Sequence, residues 1–153
     1  MSIESARLAY VRFKKFPAGH VFIIFRFATG KEVAISPEAD VKPGMTFSLL
    51  RGFLKTYRLR YFTREPQPFI EEYLRNGRQV KETLLSLSPH ELERLYNLMR
   101  ERGAALEANP EWYHTLFNSC ATSVIDHLDT IRGKRHLLPG FLFMAVPSSL
   151  GRM

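Results

Sequence analysis

Cysteine is nearly absent: the 153 residues contain one, Cys120. A single cysteine excludes an internal disulfide and any zinc site built from several thiolates, and it leaves the redox compartment undecided. Long apolar runs are also missing. None reaches the roughly 18 residues needed to cross a bilayer. The first residues lack the basic start, apolar centre and small-residue cleavage site of a secretory signal, so work outside the cytoplasm implies an export segment not carried by this sequence. Acidic residues are the scarcer charge, 15 against 22 basic ones, which gives a net charge of +7. Such a balance suits an anionic membrane surface or nucleic acid. No nucleic-acid motif surrounds the basic residues, so no nucleic-acid partner is expected. Low-complexity tracts, internal repeats and a second domain are absent as well, and residues 1–153 read as one domain. Apolar content of 45% is enough for a real core at this length.

The chain opens with period-two alternation. Ala6 to Lys14 reads as a strand, with Leu8, Tyr10 and Arg12 on one face and Ala9, Val11 and Phe13 on the other. After a turn at Pro17–Gly19, His20 to Ala28 forms the strongest strand pattern, rich in branched and aromatic residues. A tight turn at Thr29–Gly30–Lys31 leads to a third strand, Glu32 to Ser36, antiparallel to the second, and Pro37, Glu38 and Ala39 leave it. Pairing about that turn puts His20 near position 39, within reach of Glu38.

Thr46 to Leu54 reads as a short helix and Tyr57 to Phe62 as a strand, broken by Pro66 and Pro68. A helix over Phe69 to Asn76 stops at Gly77, and Val80 to Leu87 is a further strand. Ser88-Pro89-His90-Glu91 is a capping box with proline at its preferred first helical position, and the helix it opens runs to about Arg102. His90 falls on its exposed first turn and receives no catalytic role. Arg51, Lys55, Arg58, Arg60 and Arg64 concentrate positive charge, as do Arg132, Lys134 and Arg135. The first group alternates with large apolar residues, as a solvated strand face does. The apolar segment Leu137 to Val146 either covers a core edge or meets lipid or a partner.

Everything else is read in relation to Trp112–His127. Ala121, Val124, Ile125, Leu128 and Ile131 recur at helical spacing, and Asn118 or Ser119 serves as N-cap, so Cys120 falls in the first turn. The positive end of the helix dipole there favours thiolate. A histidine at the mouth of an N-terminal strand and a cysteine opening a late helix form a candidate pair for nucleophilic acyl chemistry. The steps are thiolate attack, a covalent acyl-enzyme, then transfer to an amine or water. Cys120 is the nucleophile, His20 the general base and acid, and Glu38 the group that orients the ring. Backbone N–H groups at the helix start supply part of an oxyanion hole. The competing reading is that Cys120 packs, since free cysteine is among the most buried residue types.

The sequence resembles the Lnb N-terminal periplasmic domain family. The stretches that carry the resemblance are HVFIIFRF from His20, VAISPEA from Val33, FSLLRGFLKTYRLRY from Phe47, LSLSPHELERL from Leu85 and EWYHTLFNSCATSVIDHL from Glu111. They cover nearly all of the chain from His20 onward. The more specific signals are Tyr113 followed by the Asn118-x-Cys120-x-Thr122 step, and Ser36-x-Glu38 after the histidine strand. Asn-Asn-Cys-Thr-Thr is frequent in the family, whereas Ser119 and Ala121 flank the cysteine here.

The resemblance implies an α+β fold in which an antiparallel sheet packs on helices, in a circularly permuted papain-like (NlpC-like) arrangement where histidine precedes cysteine. It implies an envelope-facing thiol enzyme, and a branch of the family is associated with N-acylation of bacterial lipoproteins. Asn118, Ser36, Tyr113 and Thr122 would then support the site. Expected partners are a lipid or lipoprotein substrate and an anionic membrane surface, with no cofactor and no metal. The rivals are an envelope hydrolase with the same residues and a non-catalytic membrane- or partner-binding module. The expected location is the periplasm or cell envelope.

Overall fold

A computed structural model describes residues 2–12, 19–42, 51, 55–115 and 118–133. The Leu137–Val146 segment, Lys134, Arg135 and, Arg51 apart, the core of the Thr46–Leu54 helix expected from sequence lie outside them. The elements run β1 (Ile3–Arg12), β2 (Gly19–Phe27), β3 (Glu32–Asp40), β4 (Arg58–Arg64), α1 (Pro66–Arg75), β5 (Val80–Leu84), α2 (Pro89–Ala108) and α3 (Cys120–Arg132). This is an α+β fold. Among the described residues five strands form one antiparallel sheet in the order β4-β3-β2-β1-β5.

The alternation read in β1 and β2 sorts two cores. Leu8, Tyr10, Val21, Ile23, Phe25 and Phe27 share the larger core with Leu92, Leu95 and Met99 of α2 and Val124, Ile125 and Leu128 of α3. The opposite faces, Ala9, Val11, Phe22 and Ile24, pack against Phe69, Ile70 and Tyr73 of α1. β2 is thus buried on both sides, which explains its near-continuous apolar run: Val21 to Phe25 are all fully buried. Within α3, all five face residues expected from the helical spacing, Ala121, Val124, Ile125, Leu128 and Ile131, are buried.

Three boundaries differ from the sequence reading, each for a local reason. Pro66 and Pro68 do not precede α1 but build its first turn, where the missing N–H groups have no intrahelical acceptor to lose. Gly103 does not stop α2, which continues to Ala108. A side chain at 103 would come within 3.2 Å of the Tyr61 Cβ, so glycine lets the helix approach the sheet. β3 does not end at Ser36 but continues through Pro37 to Asp40, paired with β4 from Ala34↔Arg64 to Asp40↔Arg58.

That extension produces the feature that matters most for function. β2 and β3 pair only beside their turn, from Arg26↔Glu32 to Ile23↔Ile35. Toward the other end β2 still runs back to Gly19 beside β1, and β3 runs on beside β4. The two central strands therefore part beyond Ile23, and the sheet opens between Gly19–Phe22 and Ser36–Asp40. Pro37 lies where β3 borders this opening, the edge-like setting in which a strand tolerates proline.

Candidate active site

The N-terminus of α3 enters this opening. Ser119 is the N-cap, one of the two candidates read from sequence, and it closes a capping box with Thr122: the Ser119 N–H donates to Thr122 Oγ1 at 2.6 Å and the Thr122 N–H to Ser119 Oγ at 3.3 Å. Asn118 ties down the preceding loop, its side-chain amide donating to the Trp112 carbonyl at 2.9 Å, while its backbone exchanges two hydrogen bonds with His114. Both residues set where Cys120 stands. Neither borders the cavity described next.

The Cys120 thiol lies 3.9 Å from the Gly19 carbonyl oxygen, and the Val21 and Ala121 N–H groups point at the sulfur. Sγ thus rests against the edge of β2, in the gap between the parted strands. Gly19 allows this packing: a side chain there would drive into the Val11 carbonyl. His20, the next residue, turns its ring to the α1 side of the sheet. It stacks on Phe22 at 5.6 Å between centroids and has Phe69 and Tyr73 at 6.3 and 6.4 Å.

A cavity of about 520 Å³ joins the two groups. Cys120, His20, Glu38, Asp40, Arg64 and Arg78 supply its polar lining, and Phe62, Tyr73 and Tyr113 its aromatic walls. Tyr113 is 5% exposed, and its hydroxyl interacts with Cys120. The strand register extends to place Glu38, not residue 39, opposite His20. Proximity does not make Glu38 the hydrogen-bond partner. His20 Nε2 bonds Ser36 Oγ at 2.6 Å, and Glu38 takes a bidentate ion pair with Arg64 at 2.8 and 2.9 Å. Glu38 acts on His20 through its charge alone. Ser36, expected only as support, is the residue that fixes the ring.

Electrostatics also depart from the sequence expectation. Burial pushes the Cys120 thiol up to about 11, against the Val21, Ala121 and Tyr113 donors, and the Glu38 charge adds to the rise. Burial likewise pushes His20 down to about 4; Glu38 opposes this and Arg64 and Arg78 reinforce it. Desolvation disfavours the charged form of each group, and here it outweighs the helix dipole. At neutral pH the resting site holds a thiol and a neutral imidazole.

Arg64, Tyr73 and Arg78 were not among the site residues read from sequence. Arg64 looked like one more cation on a solvated face. In fact it lies over the Phe62 and Phe69 rings, 4.8 Å from each centroid, and holds Glu38. Arg60 is similarly engaged by Asp40 and Glu107. The basic strand is therefore laced with acidic partners. Tyr73 and Arg78 carried no signal, because only the packing of α1 brings them to β2.

The family model for the Lnb N-terminal periplasmic domain matches residues 2–148, and the chain belongs to that family. The match starts well before His20, where the resemblance in sequence faded. No curated protein and no solved structure matches the chain. The family is one of periplasmic domains, in agreement with the location expected from sequence. Among the described residues no helix is long and apolar enough to cross a membrane.

Proposed function

We propose that this domain carries out thiol-dependent acyl transfer in the cell envelope, in a circularly permuted papain-like arrangement with His20 preceding Cys120. The observation that carries the proposal is that Cys120 and His20, a hundred residues apart, border one cavity at the point where two central strands part. The resemblance points to N-acylation of lipoproteins as the reaction.

In this reading His20 acts as general base, not as half of a preformed ion pair. With Nε2 donating to Ser36 Oγ, Nδ1 is the basic nitrogen. As sulfur attacks the acyl carbonyl, the thiol proton passes to His20 and then to the leaving group. The acyl group, now a thioester on Cys120, moves to an amine, whose proton returns by the same route. The Tyr113 hydroxyl and the N–H groups beside Cys120 are donors for the developing charge. Water in place of the amine gives the hydrolase alternative.

One observation favours a non-catalytic module instead: Cys120 is 3% exposed and its thiol is pushed up, as for a packed cysteine. Incubation with a fatty-acyl thioester separates the readings. The expected result is a single acyl adduct on Cys120, visible in the intact mass, removed by hydroxylamine and lost in Cys120→Ala and His20→Ala. No adduct on the wild type, or one that survives Cys120→Ala, overturns the proposal. An added peptide amine that collects the acyl group distinguishes transferase from hydrolase.

A further inference from the structure

The cavity holds more positive charge around His20 than its own carboxylates account for. The aromatic rings that enclose His20 also carry cations: Arg64 lies over Phe62 and Phe69, and Arg78 lies 5.9 Å from the centroid of Tyr73. A guanidinium over a ring is held in place while keeping a fixed fork of donors, the geometry that suits a carboxylate or phosphate. Glu38 is already bidentate to Arg64, and Asp40, which also borders the cavity, bonds Arg60. Buried His20 is thus faced by two guanidinium groups and one carboxylate, and both guanidinium groups help hold its imidazole neutral. Bringing one negative charge into such a cavity balances its field, whereas a neutral ligand leaves the imbalance in place.

We infer that the Arg78 side of the cavity binds a monoanionic group, a phosphodiester or a carboxylate, on the substrate whose acyl carbon is presented to Cys120. The inference rests on the acyl-transfer reading above for the reaction but not for the binding. A phosphodiester would come from a lipid headgroup and a carboxylate from a peptide terminus or an acidic side chain. An anion seated there also stabilises the imidazolium that forms when His20 takes the thiol proton.

The test uses three thioesters with the same acyl chain and different leaving thiols: one neutral, one bearing a carboxylate, one a phosphodiester. In each reaction the Cys120 sulfur forms the new thioester, the bond to the leaving sulfur breaks, and the thiol proton passes through His20 to that sulfur. Acyl-Cys120 is followed by intact mass. One anionic probe should react at least about tenfold faster than the neutral one, the gain of a charge-assisted hydrogen bond, and which probe it is names the source. The ratio should fall toward unity in Arg78→Gln. It should persist in Arg75→Gln, a neighbouring arginine that does not border the cavity.

Equal rates for all three probes in the wild type, or a ratio unchanged in Arg78→Gln, overturn the inference. If no probe acylates Cys120, the acyl-transfer reading fails and a second measurement decides the anion site. Dimethyl phosphate and acetate are titrated against the His20 ring resonances. A rise in the His20 pKa in the wild type, absent in Arg78→Gln, supports the site. No shift with either anion overturns it.

Discussion

Cys120 sits under two opposed influences, and their sizes decide its chemistry. A helix N-terminus contributes about 0.3–1 kcal/mol toward the thiolate, up to about 2 in buried settings. Full burial shifts a pKa by up to roughly 3–5 units, each worth about 1.4 kcal/mol. Burial wins, and the thiol rises to about 11. The alkylation rate of Cys120 with iodoacetamide should therefore keep climbing well past pH 8.5, the free-thiol value. Because the Glu38 charge opposes thiolate formation, Glu38→Gln should move the inflection down. An inflection at or below pH 8.5 in the wild type contradicts this account. The cysteine, its helix and the histidine at a strand mouth were legible in the sequence. The burial of the sulfur was not, because it comes from Gly19 and Val21, far away in the chain. Ser36 was legible as a motif residue, yet its bond to His20 depends on side-chain reach across an opening that no periodicity encodes.

Elements were read well wherever local chemistry decides them. Ser88 and Glu91 form the capping box implied by their spacing, with bonds of 2.8 and 3.2 Å. The strand faces of β1 and β2 sort into two cores as alternation required. Reading failed where a tertiary contact decides: β3 continues because β4 pairs with it, and α2 continues because Gly103 fits against Tyr61. Two substitutions test the elements that position the site. Ser119→Ala removes the N-cap of α3 and should cost about 1 kcal/mol, read as a lower urea midpoint. Gly19→Ala should cost more, about 2–3 kcal/mol, because the new methyl overlaps the Val11 carbonyl at the end of the β1–β2 ladder. It should also speed alkylation of Cys120 by loosening the strand edge against which the sulfur rests. A Gly19→Ala protein as stable as the wild type would mean that this end of the sheet is not tightly packed.

At the scale of the whole molecule, two histidines are buried neutral. His127 on α3 shares a 2.8 Å hydrogen bond with Tyr61 on β4, and burial, with the Arg102 charge, pushes it down to about 4, as burial does His20. The unfolded chain takes up a proton at each near pH 6.5, and the folded chain does so only near 4. Stability should thus be flat above pH 7 and fall between about 6.5 and 4.5, by up to roughly 1.4 kcal/mol per pH unit for each histidine. The ion-paired carboxylates Glu32 and Glu111, both held below their ordinary range, add their loss only at lower pH. Urea midpoints at pH 7, 6, 5 and 4.5 measure this slope. His127→Gln should remove about half of it, and an unchanged slope would dissociate His127 from acid sensitivity.

The thiol that meets the Gly19 carbonyl across 101 residues has a consequence for how the protein is made. A chain growing from its N-terminus has β1 to β3 long before it has α3, and α3 supplies both the nucleophile and the packing that buries it. Until that last described helix docks, His20 has no thiol beside it and the thiol has no base. The enzyme we propose would carry no competent site while partly synthesised or partly threaded through a membrane. It would switch on only when its final helix closes the core.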